Sequence, residues 1–295
     1  MDEPVLLTGA GGRVGQAILD GIGEKYEWRL LDREPIPAAK VPSHVADADQ
    51  YVADITDEGA VRAAMSDVGA VIHLAGDPRK TAPWDSVLRN NIDGTQVVMA
   101  AAAEAGVDRF AFASSNHAVG GYETDDRTPA LYRTDDEYQL TGEELPRPGN
   151  LYGVSKATGE TLGRMYHDQH GMSVVCVRIG NLTKDHPPRE YERGQAMWLS
   201  HRDCAHLFDR CLQADYGYEV VYGISNNDRR YYSIERAREA LGYAPADNSA
   251  NYTFEGEPKE GTGAAGDADP GRPPATESPE EPNFPSDPDT PTDGA

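Results

Sequence analysis

Residues Val5-Leu6-Leu7-Thr8-Gly9-Ala10-Gly11-Gly12-Arg13-Val14-Gly15 decide the fold. The apolar run Val5-Leu6-Leu7 reads as a short buried strand, and the segment through Ile18 and Leu19 reads as an apolar-faced helix. Between them, glycines at 9, 12 and 15 allow a tight turn, close approach of backbone to a pyrophosphate, and close helix–strand packing. The helix N-terminus then offers unpaired N–H groups to phosphate. Strand before and helix after are the context that makes such a glycine triplet informative. Gly9, Gly12, Arg13, Val14 and Gly15 are therefore candidate contacts to a dinucleotide.

Further along, Trp28-Arg29-Leu30-Leu31 reads as a second strand ending at Asp32. An acid about 20 residues beyond the glycines is placed to accept hydrogen bonds from the adenosine ribose hydroxyls. It would repel a 2′-phosphate, which favours NAD, whereas the adjacent Arg33 keeps NADP open. Tyr51-Val52-Ala53 is a third strand, and Asp54-Ile55 at its end is an edge for the adenine. A helix is expected from Asp57 to Met65, then a fourth strand from Ala70 whose exit, Leu74-Ala75-Gly76, passes close to the cofactor. This alternation indicates an α/β, doubly wound parallel sheet, the Rossmann fold. His73 reads as a core residue.

The loop 77–83 carries Arg79 and Lys80 just beyond a strand's carboxyl end, where ligands bind in such sheets. A long helix is expected from Trp84 to Ala105, with Asn91 on it near the site. The strand from Arg109 to Ala113 delivers Ser114-Ser115-Asn116-His117: a hydroxyl for a reacting oxygen, then an amide and an imidazole to grip neighbouring hydroxyls. After a long polar loop over 121–149 comes Tyr152-Gly153-Val154-Ser155-Lys156. At a spacing of four, Tyr152 and Lys156 leave one face of a helix a turn apart. A free tyrosine has a pKa of about 10, and a nearby cation favours its phenolate, so the pair is a candidate proton acceptor for an alcohol.

The sixth strand, Ser173 to Val177, runs into Arg178-Ile179-Gly180-Asn181, and Asn181 is a candidate substrate contact. A second basic loop holds Lys184, His186, Arg189 and Arg193. A helix through Ala205, Leu207, Phe208 and Leu212 has Ser200 or Asp203 available as its cap. A short strand, Glu219 to Tyr222, and a final helix, Ser233 to Leu241, follow. We read residues 1–247 as one domain whose smaller C-terminal portion, mainly 181–247, binds substrate. Residues 248–295 read as an acidic, proline-rich disordered tail, with too little apolar surface to offset the entropy of ordering.

Composition narrows the partners. The formal charge is −23, and only six of the 27 basic residues are lysines. The first 250 residues alone hold 39 acids against 25 bases, which argues against nucleic-acid or anionic-membrane binding. An acidic, lysine-poor surface fits a cytoplasm of high salt, where self-repulsion is screened. Cys176, Cys204 and Cys211 have no metal-ligand spacing and read as buried thiols of a reducing compartment, and no metal is expected. The acidic N-terminus is not a signal peptide, and no apolar run approaches the ~18 residues that span a bilayer. A cytoplasmic location is the expectation.

Thr8-Gly9-x-x-Gly12-x-x-Gly15, Ser115 and Tyr152-x-x-x-Lys156 together resemble an extended short-chain dehydrogenase/reductase over roughly residues 4–246. Within that superfamily, 113–117, 151–156, Arg164-Met165-Tyr166, Val177-Arg178-Ile179-Gly180 and Trp198-Leu199-Ser200-His201 are similar to NAD-dependent uronate dehydrogenases. The resemblance implies that Ser115, Asn116 and His117 hold a sugar, that Arg193 faces its anionic end, that Tyr152 is the base and that NAD is the cofactor. Where those enzymes carry a small polar residue, this chain has Pro78-Arg79-Lys80, and its loop before Tyr152 is longer. With the acidic composition, this resembles the haloarchaeal NAD-dependent glucose-6-phosphate dehydrogenases of the same family. A doubly ionised phosphate suits several cations better than a carboxylate does. The resemblance thus implies oxidation of the anomeric carbon of glucose 6-phosphate. Uronate or other aldose oxidation, a nucleotide-sugar epimerase and a non-catalytic NAD sensor are the alternatives. The helices near 84–105 and 151–170 are a candidate homodimer face, as in the wider family.

Overall fold

Alternation along four central strands divides one core into two faces. The computed structural model describes residues 3–123, 139–183, 186–188 and 192–252. Strands β1 (Val5–Thr8), β2 (Trp28–Asp32), β3 (Asp49–Val52), β4 (Ala70–His73), β5 (Arg109–Ser115), β6 (Ser173–Ile179) and β9 (Tyr218–Gly223) form one sheet in the order β3-β2-β1-β4-β5-β6-β9. Every neighbouring pair is parallel. Val5, Leu7, Ile72, Ala111 and Val175 face one side, with α1 (Arg13–Ile22), α7 (His201–Gln213) and α8 (Glu235–Leu241). Leu6, Val71, Phe110, Phe112 and Cys176 face the other, with α2 (Glu58–Met65), α4 (Gly94–Ala105) and α5 (Leu151–His170). A parallel sheet is stable only when both faces are covered in this way. All three cysteines are buried and free. Among the described residues, no helix is long and apolar enough to cross a membrane.

Several expected boundaries move. Strand β3 begins at Asp49, before Tyr51, while β5 and β6 each run two residues past their expected ends. The helix expected over 84–105 is a short α3 (Trp84–Ser86), a π-helical stretch (Val87–Asp93) and α4. Ser200, one of the two cap candidates, accepts from the Asp203 backbone N–H and starts α7. The fifteen residues 124–138 of the loop before Tyr152, together with Lys184 and Arg189, lie outside the described residues, as does everything beyond Tyr252.

Helix α5 is the element that positions the site. Asn150 caps it, its side chain accepting from the Gly153 N–H at 2.8 Å, and Gly171 ends it in the left-handed conformation at φ 73°. It lies so close to the sheet that a Cβ on Gly159 would sit 2.2 Å from Phe112 Cζ. The strand order reverses at β1 and β4, and there the carboxyl ends open a crevice where ligands bind in such folds. A smaller cluster, including Val119, Leu140, Met197, Tyr222 and Tyr232, packs beyond the sheet. The same C-terminal portion holds a two-stranded sheet, β7 (Asn181–Leu182) with β8 (Trp198–Leu199), and the short helix α6 (Glu192–Ala196).

His73 ties the two central strands to α4. Its Nδ1 lies 2.7 Å from Thr8 Oγ1 and its Nε2 3.1 Å from Thr95 Oγ1. Burial, and then the charge of Lys156, push its pKa down to about 3. The folded state therefore keeps His73 neutral while the unfolded chain protonates it near pH 6.5. Its contribution to stability is complete above pH 6.5 and declines as pH falls toward 3. Below pH 6.5 the decline amounts at most to about 1.4 kcal/mol per pH unit. Denaturant unfolding at pH 7 and pH 5 is expected to show a larger loss in the wild type than in His73→Gln, and parallel losses would contradict this.

Candidate active site

The turn after β1 has no room for side chains where it meets β4. Gly9 adopts φ +70°, and a Cβ there would lie 2.8 Å from the Ala75 backbone nitrogen. A Cβ on Gly15 would lie 2.5 Å from Ala10 O, so α1 can leave the turn at this angle only with glycine there. Gly12 is the N-cap of α1 and has no side chain to cap the free N–H groups. At the end of β2, Asp32 Oδ2 accepts from the Gly11 N–H at 2.9 Å, and Lys40 Nζ donates to Gly11 O at 3.0 Å. Arg13 reaches across the turn to donate to Leu182 O at 3.0 Å. A glycine cradle, an open helix N-terminus and a carboxylate at the second strand's end fit a dinucleotide.

These groups line one cleft of about 1290 Å³. On the cofactor side it is bounded by Val14, Asp32, Arg33, Asp54, Ile55 and the exit Leu74-Ala75-Gly76. On the far side it is bounded by Arg79, Lys80, Ser115, Asn116, His117, Tyr152, Lys156, Asn181 and Arg193. Of the residues singled out in the sequence as cofactor, substrate or catalytic groups, Asn91 alone is not on its wall. Asn91 sits behind it, in the π-helical stretch. Its Oδ1 accepts from the Asp77 N–H at 2.6 Å, and its Nδ2 donates to Asp77 O and Ser155 Oγ, each at 3.1 Å. Ser155 Oγ in turn donates to Tyr152 O at 2.7 Å. One amide thus joins the β4 exit to the first turn of α5, and a π-turn at a functional site is a recurrent device for aiming such a side chain.

The electrostatics around Tyr152 run against the sequence expectation. Lys156 Nζ is 5.5 Å from the Tyr152 ring centroid and 5.0 Å from that of Phe112. Burial pushes the Tyr152 hydroxyl up to about 12; the neighbouring Ser115 works the other way, and the charge of Asp77 raises it further. Burial likewise pushes Lys156 down to about 8. Both groups have lost more hydration than they regain from one another at this distance, so Lys156 does not make Tyr152 a phenolate in the ligand-free protein. The His117 ring stands edge-on to Tyr152 at 5.8 Å, and its Nδ1 lies 3.2 Å from Asn150 Nδ2.

Two of the cations assigned to an anionic substrate are already held by acids. Arg79 donates to Asp77 through Nε at 2.9 Å and Nη2 at 2.5 Å, and Ser86 Oγ donates to the same carboxylate at 2.6 Å. These contacts hold the Asp77 carboxyl well below the usual range. Arg193 is paired with Glu123, which also accepts from the Tyr232 hydroxyl. Burial opposes ionisation of Glu123, but Arg193 and Tyr232 outweigh it. With its amide nitrogen toward Ser115 Oγ and Ile179 O, Asn116 accepts from Arg193 Nη2 at 3.2 Å. Lys80 is exposed at the cleft mouth. Sequence reading missed Asp77 and Glu123, because nothing local distinguishes a pairing carboxylate in so acidic a chain.

Comparison with known proteins bears on the family, the fold and the cofactor. Residues 5–227 match the model of the NAD dependent epimerase/dehydratase family. An "NAD-dependent glucose-6-phosphate dehydrogenase" of Haloferax volcanii is 72% identical over 258 residues, spanning 88% of this chain and 98% of the relative. A "Uronate dehydrogenase" of Pseudomonas putida is 33% identical over 251 residues, spanning 84% of this chain and 85% of the relative. Among solved structures, a mutant of uronate dehydrogenase from Agrobacterium tumefaciens, complexed with NAD, superposes with a TM-score of 0.71. That pair is 29% identical, covering 87% of this chain and 92% of the other. By the extent of these matches and by its fold, the chain belongs to the NAD dependent epimerase/dehydratase family.

Proposed function

We propose that the protein oxidises the C1 hydroxyl of glucose 6-phosphate to the corresponding lactone with NAD as the oxidant. The observation that carries this is the 72% identity to the Haloferax volcanii enzyme across 88% of the chain. NAD would supply the hydride acceptor for C1 and a positive charge in the cleft. Gly9, Gly12, Arg13, Val14 and Gly15 would hold its pyrophosphate, Asp32 and Arg33 its adenosine ribose, Asp54 and Ile55 the adenine edge. Leu74, Ala75 and Gly76 would pass beneath it, with Asn91 fixing that exit.

Tyr152 takes the proton of the C1 hydroxyl as the C1–O bond becomes a carbonyl. Ser115 donates to the same oxygen and holds it beside the phenol. At about 12, Tyr152 in the ligand-free protein is protonated at neutral pH, so the base forms only once further positive charge enters the cleft. Lys156, still largely charged below about pH 8, supplies part of that charge and would hold the nicotinamide ribose. Asn116, His117 and Asn181 would grip the sugar hydroxyls. Lys80, the terminal groups of Arg79 and Arg193 would meet the phosphate. The acidic, lysine-poor surface suits concentrated salt and a cytoplasmic location.

One observation favours a second reading, uronate oxidation by the same groups. Arg79 and Arg193 each already face a carboxylate, which leaves less net positive charge than a dianion would draw on. NAD reduction measured with glucose 6-phosphate, glucuronate, galacturonate, glucose and L-arabinose separates the two. The phosphorylated sugar is expected to have the highest kcat/KM; preference for a uronate would install the second reading, and preference for a neutral sugar would remove both. Run in molar and in dilute salt, the assay also tests the salt adaptation, which equal activity in both would contradict. Tyr152→Phe is expected to lose at least about 100-fold in kcat while retaining NAD binding by fluorescence titration. Unchanged turnover would remove Tyr152 as the base.

A further inference from the structure

Glu160 follows Lys156 by four residues and Tyr152 by eight, so all three share one face of α5. It is 4% exposed, and a carboxylate that deep must be fully paired. Arg178 on β6, itself 2% exposed, donates to it through Nε and Nη2, both at 2.8 Å. Ser114 on β5 donates to Oε1 at 2.6 Å. The remaining reach of Arg178 goes to β9, where Nη1 lies 3.3 Å from the Tyr222 hydroxyl. One carboxylate thereby joins the helix that carries Tyr152 and Lys156 to three strands.

Stability alone does not call for this arrangement, since well-packed apolar side chains commonly serve as well as a buried ion pair. Its location does suggest a use. Ser114 has the strand parity of Phe112 and bonds Glu160 on α5, and both it and the next residue, Ser115, line the cleft. The bond at Ser114 therefore pins α5 to β5 one residue from the hydroxyl that must meet Tyr152.

We infer that Glu160, held by Arg178, acts through Ser114 as a positioning residue that sets the separation of the Tyr152 hydroxyl and Ser115 Oγ. The inference rests on the reading of Tyr152 as base and Ser115 as its partner. Lys156 on α5, Asp77 after β4 and His117 after β5 also face that phenol. Ser115 is the group that draws the phenol's pKa down, so loosening its contact raises the pH at which turnover develops.

Glu160→Gln strands a buried arginine and puts folding at risk, so the informative variant is Ser114→Ala, which deletes the 2.6 Å bond and leaves the Arg178 pair in place. Steady-state kinetics from pH 6 to 10 are expected to show kcat about tenfold lower, with the rising limb of its pH profile displaced upward. KM for NAD should be unchanged, and Ser114→Thr should restore most of the rate. Ser114→Ala with wild-type kcat and pH profile, alongside an inactive Tyr152→Phe, would overturn the inference and leave the base assignment standing. An active Tyr152→Phe would overturn both.

Discussion

The close approach of α5 to the sheet is the constraint on which the rest of the site depends. A Cβ at Gly153 would lie 2.2 Å from His117 O, one at Gly159 2.2 Å from the Phe112 ring, and one at Gly163 2.9 Å from Val174 Cγ1. Three positions without side chains let a 20-residue helix lie flush on β5, β6 and the turn that follows β5. That contact brings Tyr152 and Lys156 to the carboxyl edge of the sheet, next to Ser115, and sets the ammonium of Lys156 against the Phe112 ring. The shifts of both groups follow from this burial, and neither needs a special partner to explain it.

Burial also organises the charges of the cleft. A guanidinium as buried as Arg193 is tolerable before any substrate arrives because Glu123 neutralises it, and Arg178 is matched by Glu160 for the same reason. Stacked Tyr222 and Tyr232, 4.5 Å apart, connect the two pairs: one hydroxyl meets Arg178 and the other Glu123. The Arg193 side of the cleft and the helix that carries Tyr152 are therefore joined through one aromatic cluster. Arg79 differs in exposure: its side chain is 64% exposed while that of Asp77 is 8% exposed, so solvent screens the guanidinium's end of that pair.

Much of the fold is legible in the sequence because its signals are local. Strand residues such as Leu6-Leu7 and Val174-Val175 alternate between two covered faces, and the glycines before α1 mark the turn that a dinucleotide requires. The proposed cofactor and catalytic positions follow from that frame, since each lies at the end of a strand or on the next helical turn. What could not be read is set by distance along the chain. The Ser114–Glu160 bond spans 46 residues and the Arg193–Glu123 pair 70, and a chain with 50 acids offers too many candidate partners to choose among. The upward shift of Tyr152 in the ligand-free protein was hidden from the sequence for another reason. Spacing places both side chains on one face but is silent about the hydration each loses.

The most direct test of the central claim follows the hydrogen on the sugar's first carbon. Glucose 6-phosphate deuterated at C1 should pass its deuterium to the reduced cofactor, one per turnover, with 6-phosphogluconolactone as the product and the C1 hydroxyl proton released to solvent. Deuterium retained in the sugar, or no reduction of NAD with this substrate at any salt concentration, would contradict the account.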